Sequence, residues 1–181
     1  MIVLMGGQGV GKGTFARMLC EKHDFKHIET GALLRSAAET DADIAAIITR
    51  GDLVPNENLL KIVAAAINTD KDIILDGFPR TLEQAKWLVN SFADKFNIHV
   101  IYLEVPKEIM IQRIQKRIRE GGGRADDASI TAINHRLDIF WNTTLPVIEW
   151  LSTVPNIKYS AVNVQGELNE NFSKILSALK E

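Results

Sequence analysis

The chain has 181 residues, 46% hydrophobic and 24% charged, a balance that suits one globular domain and excludes a disordered or collagen-like polymer. Its net charge of −2 marks no bulk polycation for nucleic acid, and no apolar run reaches the roughly 18 to 20 residues of a membrane span. Cys20 is the only cysteine, which excludes an intrachain disulfide framework and a cysteine-built zinc site and fits a reducing cytoplasm.

"MIVLM" (1–5) reads as a short buried strand with no charged leader before it, so no signal peptide is expected. Gly6, four residues, Gly11 and Lys12 then match the first seven places of a phosphate-binding loop. Glycines at 6, 9, 11 and 13 let the backbone turn so that several N–H groups face phosphate oxygens. A helix from 12 to about 22, with Phe15, Met18 and Leu19 on one face, adds its positive N-terminal end. The usual Ser or Thr after the lysine is replaced by Gly13, with Thr14 next. A lysine at a helix start opposes the helix dipole and makes better sense beside a bound anion.

Helical patterns follow at 31–39, 41–50 and 57–68, then "DIILDGF" (72–78), an apolar run typical of a strand buried on both faces. Its Asp76 is costly to bury alone, and by itself reads as a helix-capping or turn aspartate before Gly77. A helix at 81–96, the strand "IHVIYLEV" (98–105) and a helix at 107–119 come next. From Lys107 to Arg136, seven Lys/Arg face four Asp/Glu, a local +3 that leaves −5 elsewhere and points to an anionic ligand. Arg113 and Arg117 share a helix face. With Arg119, Arg124 and Arg136 they form either a solvated face, balanced by Glu108, Glu120, Asp126 and Asp127, or a lid that closes over phosphates. "EGGGRADD" (120–127) is the most flexible-looking stretch. The chain ends with a helical pattern at 129–150 interrupted at Pro146, a weaker strand "IKYSAV" (157–162) and a helix at 167–179. Strands alternating with helices predict an α/β fold on a parallel sheet, with ligands at the carboxyl ends of the strands. The four histidines show no metal or triad spacing and read as surface or satisfied core residues.

The loop "GGQGVGKGT" (6–14) resembles that of the adenylate kinase family of nucleoside monophosphate kinases. The resemblance recurs in order along the chain. "ETGALLR" (29–35) is similar to the family's Ser-Thr-Gly-Asp-x-Leu-Arg, "RGDLVPNE" (50–57) to Gly-x-Leu-Val-Pro-Asp-Glu, and "LDGFPRTLEQA" (75–85) to Asp-Gly-Phe-Pro-Arg. "RIQKR" (113–117), "GRADD" (123–127) and "HRL" (135–137) fall where the family keeps lid arginines. The departures are Phe15 for Gln, Glu29 for Ser, Ala32 for an acidic residue and Asn56 for Asp; Arg136 stands twelve positions after Arg124, where the family pattern would put it eleven after.

The resemblance implies a P-loop NTPase fold with a five-stranded parallel sheet flanked by helices: a core (1–29, 60–117, 129–181), a small helical acceptor-binding insert (30–59) and a short lid (118–128). It implies reversible, magnesium-dependent transfer of the terminal phosphoryl group of ATP to AMP, giving two ADP. The donor phosphates fall to Gly9, Val10, Gly11, Lys12, Gly13 and Thr14, with Arg113 on the donor base. Asp76 holds magnesium through water. Lys12, Arg80, Arg117, Arg124 and Arg136 carry charge around the transferred group. The AMP side takes Thr30, Arg35, Asp52, Leu53, Val54, Gly77, Phe78, Pro79, Arg80, Gln84, Arg124 and Arg136. A lid this short has no room for a zinc cluster, so no structural zinc is expected. The expected partners are AMP, ATP and ADP, with no nucleic acid or membrane, for a cytoplasmic monomer. Two rivals stand beside this reading: a UMP/CMP kinase of the same fold, and a nucleotide-binding regulatory protein without turnover. Gln84 carries two readings as well, an adenine-edge reader or, in Thr81-x-x-Gln84, half of a helix capping box.

Overall fold

The computed structural model describes residues 1–122 and 129–180. Strand β1 (Ile2–Met5) is buried along its whole length. Helix α1 (Lys12–Lys22) leads to β2 (Lys26–Glu29), which α2 (Thr30–Ala38), α3 (Ala42–Arg50) and α4 (Asn56–Ile67) separate from β3 (Ile73–Asp76). Then come α5 (Leu82–Phe92), β4 (His99–Glu104), α6 (Lys107–Arg119), α7 (Ile130–Ile139), a π-helical turn (Phe140–Thr144), α8 (Leu145–Leu151), β5 (Lys158–Asn163) and α9 (Leu168–Lys180).

The strands form one parallel sheet in the order β2-β3-β1-β4-β5. From β1 the chain moves out past β3 to β2, whereas β4 lies on its other side. The loop after β1 therefore sits where the strand order divides, the usual place for a ligand on such a sheet. Register fixes the edge of that place. Leu4 and Glu29 both pair with Asp76, so the ends of β1, β2 and β3 meet at one level. Val3, Ile74, Leu75, Val100 and Ile101 are fully buried beneath it. Each such aliphatic side chain contributes about 1.5–3 kcal/mol.

Helices cover the sheet with faces set by their spacing. Phe15, Ala16 and Leu19 turn α1 inward, Met110 and Ile114 turn α6, and Phe172, Ile175 and Ala178 turn α9. The expected strand at 72–78 runs only from Ile73 to Asp76, because Gly77 takes φ 81° and turns the chain out of the sheet. The expected helix at 81–96 ends at Phe92; Lys95 and Phe96 donate to the Phe92 carbonyl in a closing turn. The expected break at Pro146 takes the form of the preceding π turn, in which the Leu145 N–H bonds the Phe140 carbonyl. Widening that turn admits a proline, which lacks an N–H and crowds the carbonyl four residues back.

Candidate active site

The glycine loop connects β1 to α1. Gly6, Gly9 and Gly11 hold φ of 141°, 81° and 102°, a region that side chains rarely occupy. A Cβ on Gly9 would stand 2.7 Å from the Met110 carbonyl oxygen, so backbone packs directly on α6. Helix α1 begins on Gly11 with no side-chain cap and no acidic residue in its first turn. Such an end presents backbone N–H groups and a positive dipole to an anion. Lys12 folds over the loop and donates to the carbonyls of Gly6 (2.8 Å) and Gly7 (2.9 Å). Gly9 to Thr14 all line one cleft of about 940 Å³.

Asp76 lines the same cleft and is only 4% exposed. Its Oδ2 lies 3.4 Å from His27 Nε2 on β2 and 3.5 Å from where a Cβ on Gly13 would stand, so the carboxylate faces the first turn of α1. Among the described residues, no three His, Cys, Asp or Glu side chains are grouped to hold a metal. One carboxylate beside a phosphate cradle still fits magnesium, which keeps several waters and takes its other ligands from phosphate.

A smaller cavity opens alongside and shares Gly31, Gly51, Leu53, Gly77, Arg80 and Arg136 with the cleft. Its floor joins the sheet edge to the helices. Thr30 is buried and donates its hydroxyl to the Asp76 carbonyl at 3.0 Å. Gln84, 1% exposed, accepts from the Arg80 backbone N–H at 2.7 Å and donates to Asn56 Oδ1 at 2.8 Å. Thr81 caps α5 by accepting from the Gln84 N–H. The return bond of a capping box is displaced by one residue: the Gln84 side chain reaches Arg80 rather than Thr81. Arg80 is fastened further by its own Nε donating to the Gly77 carbonyl (2.9 Å) and by Thr144 Oγ1 donating to its carbonyl (3.1 Å). Phe78 packs edge-on against Trp87, and Phe78 and Pro79 both touch the large cleft. Arg35 lines the small cavity and donates to Glu29 at 2.9 Å.

Asp52, Leu53 and Val54 also line the small cavity. Asp52 is held from two sides, by His135 Nε2 at 2.8 Å and by Arg50 Nε at 2.8 Å. Those bonds, His135 first, keep its carboxyl below the usual range. A Cβ on Gly51 (φ 79°) would meet Arg136 Cγ at 2.8 Å, so the segment before α4 rests on the α7 arginine.

Of the lid arginines, Arg113, Arg117 and Arg136 line the large cleft, and Arg124 lies outside the described residues. Arg113 donates to the Val164 carbonyl at 2.7 Å and the Val10 carbonyl at 3.4 Å, linking the glycine loop to the loop after β5. Burial lowers its pKa. That second loop is a wall of the cleft not singled out from the sequence. Buried Asn171 holds it by donating to Val164 (3.0 Å) and Gly166 (2.6 Å). Gln8, also unflagged, ties the glycine loop to α7 through the Ile133 carbonyl at 2.8 Å.

A parallel sheet with a glycine-loop anion cradle at its dividing point, and a second cavity entering the same space, defines a P-loop α/β protein with two adjoining pockets. Comparison with known proteins narrows the class. Residues 4–155 match the family model described as adenylate kinase. The chain is 34% identical to the adenylate kinase of Bacteroides thetaiotaomicron, over 98% of this chain and 97% of the relative. It is 33% identical to that of Phocaeicola vulgatus (99% and 98%) and 30% identical to adenylate kinase isoenzyme 1 of Cyprinus carpio (100% and 94%). The chain belongs to the adenylate kinase family.

Proposed function

We propose that this chain transfers the terminal phosphoryl group of ATP to AMP, reversibly and with magnesium, giving two ADP. The observation that carries the reading is the junction of the two cavities. The glycine loop lines one, Thr30 and Gln84 line the other, and Arg80 and Arg136 belong to both. Two nucleotides so placed meet phosphate to phosphate over a cationic floor.

Phosphoryl transfer of this kind needs positioning and charge more than a base. Lys12 and the N-terminus of α1 hold the donor phosphates. Arg35 and Arg80 grip the acceptor phosphate, because a guanidinium fork suits a phosphate oxygen pair. Arg117, Arg124 and Arg136 carry charge on the transferred group. Asp76 would hold magnesium through water, and the ion would supply charge neutralisation for the donor phosphates. Thr30 and Gln84 read the acceptor base. A hydroxyl and a carboxamide together offer a donor and an acceptor to the N1 and N6 edge of adenine. Residues 30–59 serve as the acceptor insert; the lid expected at 118–128 lies for the most part outside the described residues. The same reading makes the protein a cytoplasmic monomer working on AMP, ATP and ADP, independent of nucleic acid and membrane; the weak net charge and single cysteine support it.

A bisubstrate analogue with two adenosines joined through their phosphates tests the junction. It should bind one to one, raise the melting temperature by mass action, and exclude both ATP and AMP. An analogue that leaves the AMP site open to titration would contradict two cavities meeting at their phosphates.

A further inference from the structure

Glu29 ends β2 and stands at the start of α2, yet its carboxylate caps no backbone N–H. It accepts instead from Arg35 Nη2 at 2.9 Å. Arg35 lies in the last turn of α2, and its side chain leans back along the helix, as helical side chains do. It lies over Gly31, where an added Cβ would meet Arg35 Nη1 at 3.1 Å and Glu29 Oε1 at 3.8 Å. The guanidinium and the positive end of α2 thus converge on one anion seat. The seat lies where the two cavities join, since Arg35 lines the smaller, Glu29 the larger and Gly31 both. The anion in it is the Glu29 carboxylate.

We propose that Glu29 is a tethered competitor for the acceptor's phosphate, so that a monophosphate enters by taking the Arg35 guanidinium from it. The inference rests on reading Arg35 as an acceptor-phosphate ligand. The side chains of the pair are 34% and 23% exposed, so water and salt weaken it. A phosphate carries up to two negative charges and three oxygens at neutral pH, and displaces a single carboxylate. Residue 29 therefore sets how much of the acceptor's phosphate binding is lost in breaking a contact inside the protein. A nucleoside without phosphate makes no claim on Arg35 and leaves the pair in place.

Calorimetric titration with AMP, without donor, tests this on wild type, Glu29→Gln, Arg35→Ala and the double variant, with adenosine as a control ligand. Glu29→Gln keeps the shape and removes the charge, and should tighten AMP about two- to tenfold. Glu29→Ser, which cannot reach Arg35, should reproduce the gain and guards against an effect peculiar to glutamine. Adenosine affinity should not change. Arg35→Ala should weaken AMP, and in that background Glu29→Gln should add nothing. Unchanged or weaker AMP binding in both Glu29 variants, with Arg35→Ala still weakened, would overturn the competitor and leave Arg35 as a ligand. A gain that persists without Arg35, or that extends to adenosine, would overturn it too. If Arg35→Ala binds AMP as tightly as wild type, Arg35 is not a phosphate ligand, and the competitor falls with that assignment.

Discussion

Lys12 shows how much one residue can be constrained by its surroundings. It begins an uncapped helix, faces a loop of left-handed glycines, and donates to two loop carbonyls. A cation so placed is at odds with the helix dipole until an anion arrives. Lys12→Met removes charge from the transferred group while leaving the core untouched, so kcat should fall about 10²- to 10³-fold in a protein with an unaltered circular dichroism spectrum. Near-normal turnover would remove Lys12 from the chemistry. Gln84 carries a different lesson. Its carboxamide bonds both the Arg80 backbone and Asn56, so the recognition role proposed for it would share one side chain with this structural role. Gln84→Ala should cost about 1–3 kcal/mol in folding stability and a similar amount in kcat/KM for AMP, since buried partners are left unpaired in both states. Denaturant melts and AMP kinetics on the same preparation check it; lost stability with unchanged AMP kinetics leaves only the structural role.

Among elements, what was legible in the sequence depended on burial. Strands β1, β3 and β4 are apolar runs because both faces meet helices, and each was readable. Strand β2 was not. It lies at the sheet edge, only Ile28 of Lys26–Glu29 is buried, and its flanking lysine and histidine look like loop. The candidate site divides the same way. The glycine loop and the Gly77–Arg80 turn are local in sequence, so their spacing announces them. Asn171 bonding Val164, Gln8 bonding Ile133 and Glu29 pairing with Arg35 are products of packing, and no spacing rule marks them. His99 belongs with these. Of the two readings the sequence allows, surface or satisfied core, it takes the second: it is buried at the start of β4 and bonded to Ser160 of β5 at 2.9 Å. Burial first, then Lys158 and the chain's amino terminus, lower its pKa to about 4. The unfolded chain takes up that proton near pH 6.5, well before the folded one does. Stability from neutral His99 is therefore complete above pH 6.5, declines as pH falls toward 4, and levels off below; its full size is at most about 3 kcal/mol. Urea unfolding at pH 7.5 and pH 4.5 should show this loss, and His99→Gln should reduce it. An identical pH dependence in the variant would place the acid sensitivity elsewhere.

At the scale of the whole molecule, the sheet supplies a rigid edge and the surrounding segments bring charge to it. Gly51 rests on Arg136, and Asp52 bonds His135, so the segment between β2 and β3 touches α7 across the top of the site. The two cavities that join there have different walls. The large one is lined by glycine backbone and arginines, groups suited to phosphates whatever the base they carry. The small one has Thr30 and Gln84 within a rim of Leu34, Ile48, Val54 and Leu59, the lining proposed above to read the acceptor base. On the proposed reading, specificity belongs to the acceptor side. The most direct measurement is turnover of the purified protein with ATP and magnesium against AMP, CMP, UMP and GMP, following nucleoside diphosphate formation. AMP should be the preferred acceptor, yielding two ADP per turnover, because its N1 acceptor and N6 donor suit the hydroxyl and the carboxamide; cytosine's N3 and N4 present the same pair on a smaller ring, which makes CMP the sharpest competitor. Equal or faster phosphorylation of CMP or UMP would contradict the adenylate assignment and leave the phosphotransferase class; no turnover with any acceptor would contradict the enzyme itself.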